Sequence, residues 1–171
     1  TQTQKGNKKP VVPHWQGEVG LNVDVCQLAH RIFAETNQIE VGSAIMNILC
    51  NGGPIAAAEK LAYFCCLHGG NPDEKRKLNI GFSAGRFDFM NRAYGIDARN
   101  EVEEAGWPAV KGKVFAEACE IFLRLLRGDV LSSADIPEQT LTRADFRSDE
   151  DWQSVLAAVG QQADEVPIAR R

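Results

Sequence analysis

Apolar residues along this chain recur mostly at spacings of three and four. Val25, Leu28, Ala29 and Ile32 mark the first such run, LNVDVCQLAHRIFAE, and predict an amphipathic helix. The pattern returns in QIEVGSAIMNILC, where Val41, Ala44, Ile45, Ile48 and Leu49 predict a second helix that stops at NGG. Pro54 stands at a first helical position, and PIAAAEKLAYFCCLH predicts a third helix as far as Gly69 and Gly70. NPDEKRKLNIGF reads as a charged connection with one helical turn after Pro72. SAGRFDFMNRA predicts a helix ending near Gly95, with Phe87 and Met90 on one face. Asp88 and Arg92 stand four apart in it, acid first, the favourable order for a helical ion pair. A short charged helix, DARNEVEEAG, follows with Asp97 as its cap. Pro108 opens the longest run, WPAVKGKVFAEACEIFLRLLRG, whose wide apolar face includes Val114, Ala118, Ile121, Phe122 and Leu125, and Gly128 stops it. Residues 129–146 read as loop, with Pro137 and a β-tolerant QTLT. Ser148 and Asp151 then form a capping-box pattern ahead of WQSVLAAVG.

The pattern therefore predicts an all-α single domain of six or seven helices, with almost no strand and no internal repeat. Its polar beginning, with Lys5, Lys8, Lys9, Pro10 and Pro13, predicts a flexible arm over residues 1–20. The helical core is expected over 21–160 and a disordered tail over 161–171.

With 171 residues, the chain can bury a real core without metal or disulfide staples. No run approaches 18 uncharged apolar residues, so no membrane partner is expected. The first twenty residues lack the apolar stretch of a secretory signal, and an intracellular setting follows as the default; the initial Thr1 points to a processed or trimmed chain. Five cysteines, Cys26, Cys50, Cys65, Cys66 and Cys119, form an odd set within apolar stretches, as reduced thiols used as small core residues would. The formal net charge of −4 is unevenly spread. Residues 1–9 hold three lysines and no acid, residues 71–113 hold eight Lys/Arg against seven Asp/Glu, and residues 129–171 hold nine acids against four bases. A local polyanion groove in the middle with an acidic outer end is compatible with that distribution.

Enzyme motifs are missing: there is no GxGxxG, P-loop, HExxH or GxSxG, so the chain is not read as an enzyme. Cys26 and His30, four apart, together with Cys65 and His68 could supply four zinc ligands. Their place within apolar helical runs suits buried free thiols better, and neither a metal nor another cofactor is expected. The acid pairs, such as Glu103–Glu104, sit in runs that read as solvated helix faces, and Trp107–Pro108 reads as a helix start. What remains is the set of cations Arg86, Arg92, Arg99, Lys111 and Lys113, carried by consecutive elements that short turns join. Neighbouring elements tend to pack together, so these heads could line one groove for the phosphates of single-stranded RNA. Arginine's planar fork suits phosphate, and Asp88 would orient an arginine as a structural ion pair. Scattered surface charges snorkelling off a core helix would give the same sequence.

RFDFMNR, a charged helix and then EACEIFLRLLRGD together resemble the core of coat proteins from helical plant RNA viruses. Rod-shaped members have a Phe-Asp element with nearby arginines, matched by Phe87, Asp88 and Arg92. They close with a long apolar helix ending in Arg-Gly, matched by Arg127 and Gly128, and a loop like that of Arg143 and Phe146. Flexuous members share a Phe-Asp-Phe element, matched by Phe87-Asp88-Phe89, downstream of a pair like Phe64-Cys65. The similarity covers roughly residues 60–146, in pieces of two to four residues. It implies a coat or nucleocapsid subunit, found in the virion and the host cytoplasm, that self-assembles into a helical filament around single-stranded RNA. The alternative is a small cytosolic helical interaction module of bacterial, phage or plasmid origin that binds no RNA.

Overall fold

A computed structural model of the chain describes residues 24–85 and 88–170. The arm expected over 1–20 lies outside the described residues, as do Arg86 and Phe87. Helix α1 (Val25–Glu35) begins at Asp24, whose carboxylate accepts the Cys26 and Gln27 N–H groups at 2.9 and 3.2 Å. This is the side-chain cap that a free helix N-terminus needs. Helices α2 (Gly53–His68) and α5 (Trp107–Arg127) follow their sequence patterns to within a residue.

The second predicted helix does not form. Residues 41–47 instead supply β1 (Val41–Gly42) and β2 (Met46–Asn47), which pair in parallel with β3 (Leu78–Asn79) and β4 (Phe82–Ser83). The four short strands make one interrupted ribbon, with α2 as the crossover that parallel pairing requires. Partners shift by one residue between the two pairs, so the first strand bulges at Ser43–Ile45. Gly81 sits opposite this bulge: a Cβ there would lie 3.1 Å from the Ala44 carbonyl oxygen, and its N–H donates to the Ser43 hydroxyl at 2.9 Å. The β-branched Val41 and Ile45 with Gly42 and Ser43 weaken helical preference just where the apolar spacing suggested it.

Three two-stranded sheets accompany six α-helices among the described residues, so the architecture is mixed α/β and the all-α expectation is corrected. The third sheet joins β5 (Thr140–Thr142), within the predicted QTLT, to β6 (Glu165–Pro167), antiparallel, with Leu141 opposite Val166. Part of the tail expected to be disordered is thus an ordered strand, because Val166 and Ile168 bury their side chains beside Leu141.

Helix α5 carries the core. Trp107, Val110, Val114, Ala118 and Phe122, spaced by three and four, are buried along one face. Opposite them stand Ala57, Ala58, Leu61 and Phe64 of α2, small residues at the near end allowing close approach. Helix α3 (Asp88–Ala93) lies before α4 (Glu101–Ala105), which packs on α6 (Asp149–Val159) through Trp152, Val155 and Leu156. The cap of α4 is Asn100, not Asp97; the Asn100 side chain accepts the Glu103 N–H at 2.8 Å.

Candidate functional site

The described cations of the expected groove do not converge. Lys111 and Lys113 lie two residues apart on α5, about 200° around the helix, and so point to opposite sides. Lys111 donates to Asp88 of α3 at 2.8 Å, with the two side chains only 16% and 14% exposed. Lys113 pairs with Asp145 at 2.8 Å. Arg92 pairs with Asp97 at 3.0 Å rather than with Asp88, so the expected Asp88–Arg92 pair is replaced by two others. Arg99 donates to the Arg170 carbonyl. Each of these four cations is therefore engaged within its own chain. Asp145 shows the balance of forces: burial would raise its carboxyl, but the Lys113 ammonium and the Thr142 N–H and hydroxyl hold it below its ordinary value.

Two buried polar side chains fix these elements. Asn91 is fully buried in α3; its oxygen accepts from the Asn47 amide at 2.7 Å, and its own amide donates to the Ala84 carbonyl at 2.8 Å. Asn47 also accepts the Leu49 N–H at 3.1 Å, so one amide pair clasps α3 to the parallel ribbon. Gly85 makes the passage between them: φ is +77°, and a Cβ there would fall 2.3 Å from the Asn47 amide nitrogen. Glu103, equally buried, accepts the Arg99 N–H at 2.8 Å through one oxygen and the Ala169 N–H at 3.0 Å through the other. Asn91 was not singled out from the sequence, and Glu103, expected with Glu104 on a solvated helix face, is buried instead, because its carboxylate answers two backbone N–H groups. The spacing of Asn100 and Glu103 ahead of an apolar run was the available signal for the second.

The four residues weighed as zinc ligands meet only in part. His30 Nδ1 and His68 Nε2 lie 2.9 Å apart across the α1–α2 seam, so the two imidazoles share a hydrogen bond. Phe33 and Phe64 stack edgewise against each other and pack on His68. Burial, then His30 and Arg76, push the His68 pKa below its ordinary value, with Glu74 opposing them. Cys26 is buried and Cys65 exposed, and no three His, Cys, Asp or Glu side chains among the described residues gather closely enough to hold a metal ion. Burial pushes the Cys26, Cys50 and Cys119 thiols up, away from the reactive thiolate.

Two apolar surface features remain. A cleft of about 310 Å³ opens between the start of α2 and the middle of α5, lined by Leu49, Pro54, Ile96, Val114, Ala118 and Ile121. Tyr94 stands at its edge, its hydroxyl donating to the Asn51 side-chain oxygen at 2.6 Å; Glu117 is the one charged side chain on its wall. Beside it, α2 turns Ile55 outward and, two turns on past the exposed Glu59, Tyr63 and Leu67, with exposures of 59, 67 and 47%. No helix among the described residues is long and apolar enough to cross a membrane. No protein-family model, curated protein or solved structure matches this chain.

Proposed function

We propose that the protein is a structural assembly subunit of coat or nucleocapsid type, whose copies stack head-to-tail into a helical filament with single-stranded RNA as cargo. The observation that carries the first half is α2. Apart from Glu59 and Lys60 its residues are almost all apolar or small, a composition suited to burial on most sides, yet Ile55, Tyr63 and Leu67 stay uncovered in the single chain. A second copy is the simplest cover, and an interface joining two different patches propagates into an open helical array. The cargo half rests on the resemblance around Phe87-Asp88-Phe89 and Arg127-Gly128. On this reading phosphate meets the exposed Arg92 and Arg99, and Lys111 and Lys113 serve the fold through their own acids.

The intramolecular engagement of those cations favours a second reading, an interaction module that assembles without RNA. Electron microscopy of the purified protein with and without RNA separates the two, together with anisotropy titrations over a range of salt. Filaments that form or lengthen with RNA support packaging. In that case Arg92→Ala and Arg99→Ala each shallow the log-salt slope by about 0.7, the value for one phosphate contact on a single strand. Assembly with no RNA binding supports the second reading. A chain that stays monomeric at high concentration in every buffer sinks both.

A further inference from the structure

Asn51 is the one residue other than glycine with a positive φ among the described residues, at +58°. Gly52 follows at φ +93° and ψ 2°, and the Gly53 N–H donates to the Cys50 carbonyl at 3.1 Å. Cys50–Gly53 is therefore a type I′ turn with Asn-Gly at its centre, the pair that this turn favours. Both central residues are exposed, and the closing bond uses the Gly53 N–H rather than that of Gly52. The turn leads straight into α2, whose N-terminus has no side-chain cap. Tyr94, which also lines the cleft, donates its hydroxyl to Asn51 Oδ1 at 2.6 Å. Asn51-Gly52 is the single Asn-Gly step of the chain. Asn47 and Asn79 precede isoleucines, whose branched Cβ crowds the nitrogen, and Asn71 precedes Pro72, which has no N–H to lose.

We propose that Asn51 is a self-modifying site, which deamidates in the folded chain with the Tyr94 hydroxyl as the donor to its oxyanion. The proposal is independent of the assembly reading. Hydroxide removes the Gly52 N–H proton, and that nitrogen attacks Asn51 Cγ, forming an N–Cγ bond and a tetrahedral oxyanion at Oδ1. The Cγ–Nδ2 bond then breaks, Nδ2 takes a proton from water, and ammonia leaves behind a five-membered succinimide. Water opens the ring at either carbonyl to give aspartate or isoaspartate, so one water is consumed and one ammonia released. Three features favour the reaction. Gly52 has no Cβ to shield its nitrogen. The charge on that nitrogen develops at the positive end of the α2 dipole, where no side chain already answers it. Tyr94 donates, before any reaction, to the atom on which the oxyanion forms. Either product adds a negative charge at the rim of the cleft, just ahead of α2, and isoaspartate also adds a methylene to the main chain of the turn. The change happens once in each chain and is irreversible.

Incubating the full chain at neutral and at mildly alkaline pH tests this, with peptide mass spectrometry following each asparagine. Asn51 should convert ahead of the others, through a species lighter by one ammonia, at a rate that rises in proportion to hydroxide. Aspartate and isoaspartate should both appear. Hydroxylamine, which traps the succinimide, should cut the parent chain between residues 51 and 52, a readout that needs no variant. Tyr94→Phe keeps the ring at a half-exposed position and removes the donor. It should slow conversion by about threefold or more, a small part of what an oxyanion donor is worth in a closed site. Asn51→Gln, whose longer side chain would have to close a six-membered ring, should release no ammonia from this turn. Far-UV circular dichroism melts confirm that the variants compared are folded. A parent whose Asn51 stays intact, whether or not another asparagine converts, overturns the site. A folded Tyr94→Phe that converts as fast as the parent, or faster, overturns the role of the hydroxyl and with it the proposal.

Discussion

Asn91 reaches Asn47, 44 residues earlier in the chain, through a 2.7 Å bond, and the Ala84 carbonyl, seven residues earlier, through a 2.8 Å bond. A buried amide with both ends engaged costs little; one whose partners are orphaned costs a great deal. Asn91→Leu keeps the volume and strands both partners, so urea unfolding should show a loss of roughly 2–6 kcal/mol, about 1–3 for each of the two groups. Arg92→Ala, which breaks an ion pair whose members are each nearly half exposed, should cost less than about 1 kcal/mol. Equal midpoints for the two variants would show that the Asn91 clasp does not hold α3. Asp88 belongs with the buried group. Its partner is Lys111 across a helix–helix contact, and a double-mutant cycle on Asp88→Ala and Lys111→Ala should return a coupling of about 1–2 kcal/mol, where an exposed pair returns a few tenths. The sequence placed Asp88 in an ion pair but chose the partner by helical spacing. Local spacing ranks neighbours on one helix and is blind to a lysine twenty-three residues away.

Helices announced themselves wherever their signals were local, and α2, α5 and α6 start and stop where Pro54, Gly128 and the Ser148–Asp151 pair said they would. The parallel ribbon was not legible, because its strands are two residues each and their partners come from beyond α2. An apolar run of that length satisfies a helical template and an extended one equally. The grouping of the cations met a related limit: adjacency in sequence placed Lys111 and Lys113 on one helix, but the 100° step per residue sends them apart. Of the four residues considered as zinc ligands, only His30 and His68 come together, across the α1–α2 seam. That seam has a pH dependence of its own. The folded His68 has a lowered pKa, so the fold prefers its neutral form; the stabilisation is complete above the unfolded value of about 6.5 and declines as pH falls below it. Arg76 above the Phe33 ring adds to the repulsion on protonation, and Glu74, held at about 2, stays ionised to offset it. The melting temperature should therefore drop between pH 7 and 5.5, and His68→Gln, which has no proton to gain, should flatten that drop. An identical slope in the variant would remove the seam as its source.

At the scale of the whole molecule, the chain's far end closes the structure. β6 lies against β5, burying Leu141 under Val166 and Ile168, and the next residue, Ala169, donates its N–H to the buried Glu103. Arg99 reaches the Arg170 carbonyl beyond it, and Arg170 in turn donates to the Ile136 carbonyl at 2.7 Å. A polar stretch such as GQQADEVPIARR looks disordered because only two of its side chains, Val166 and Ile168, are fully buried, with Ala163 half-buried against the core, and Leu141 beside them lies 25 positions upstream of Val166. Deleting residues 165–171 would remove both side chains, at about 1.5–3 kcal/mol each, and strip one of the two N–H donors from Glu103, at about 1–3 more. The sum, roughly 4–9 kcal/mol, is comparable to the whole stability of an ordinary domain. The truncated chain should therefore lose its cooperative melt or fall by well over ten degrees, and trypsin should cut it rapidly at Arg143 and Arg147, which flank the exposed β5 end. A shorter deletion of Arg170 and Arg171 keeps β6 and the Ala169 bond, and it should melt within a few degrees of the parent. If the longer deletion melts like the shorter one, the C-terminal strand is an ornament on the fold and the tail expected from composition is the better description.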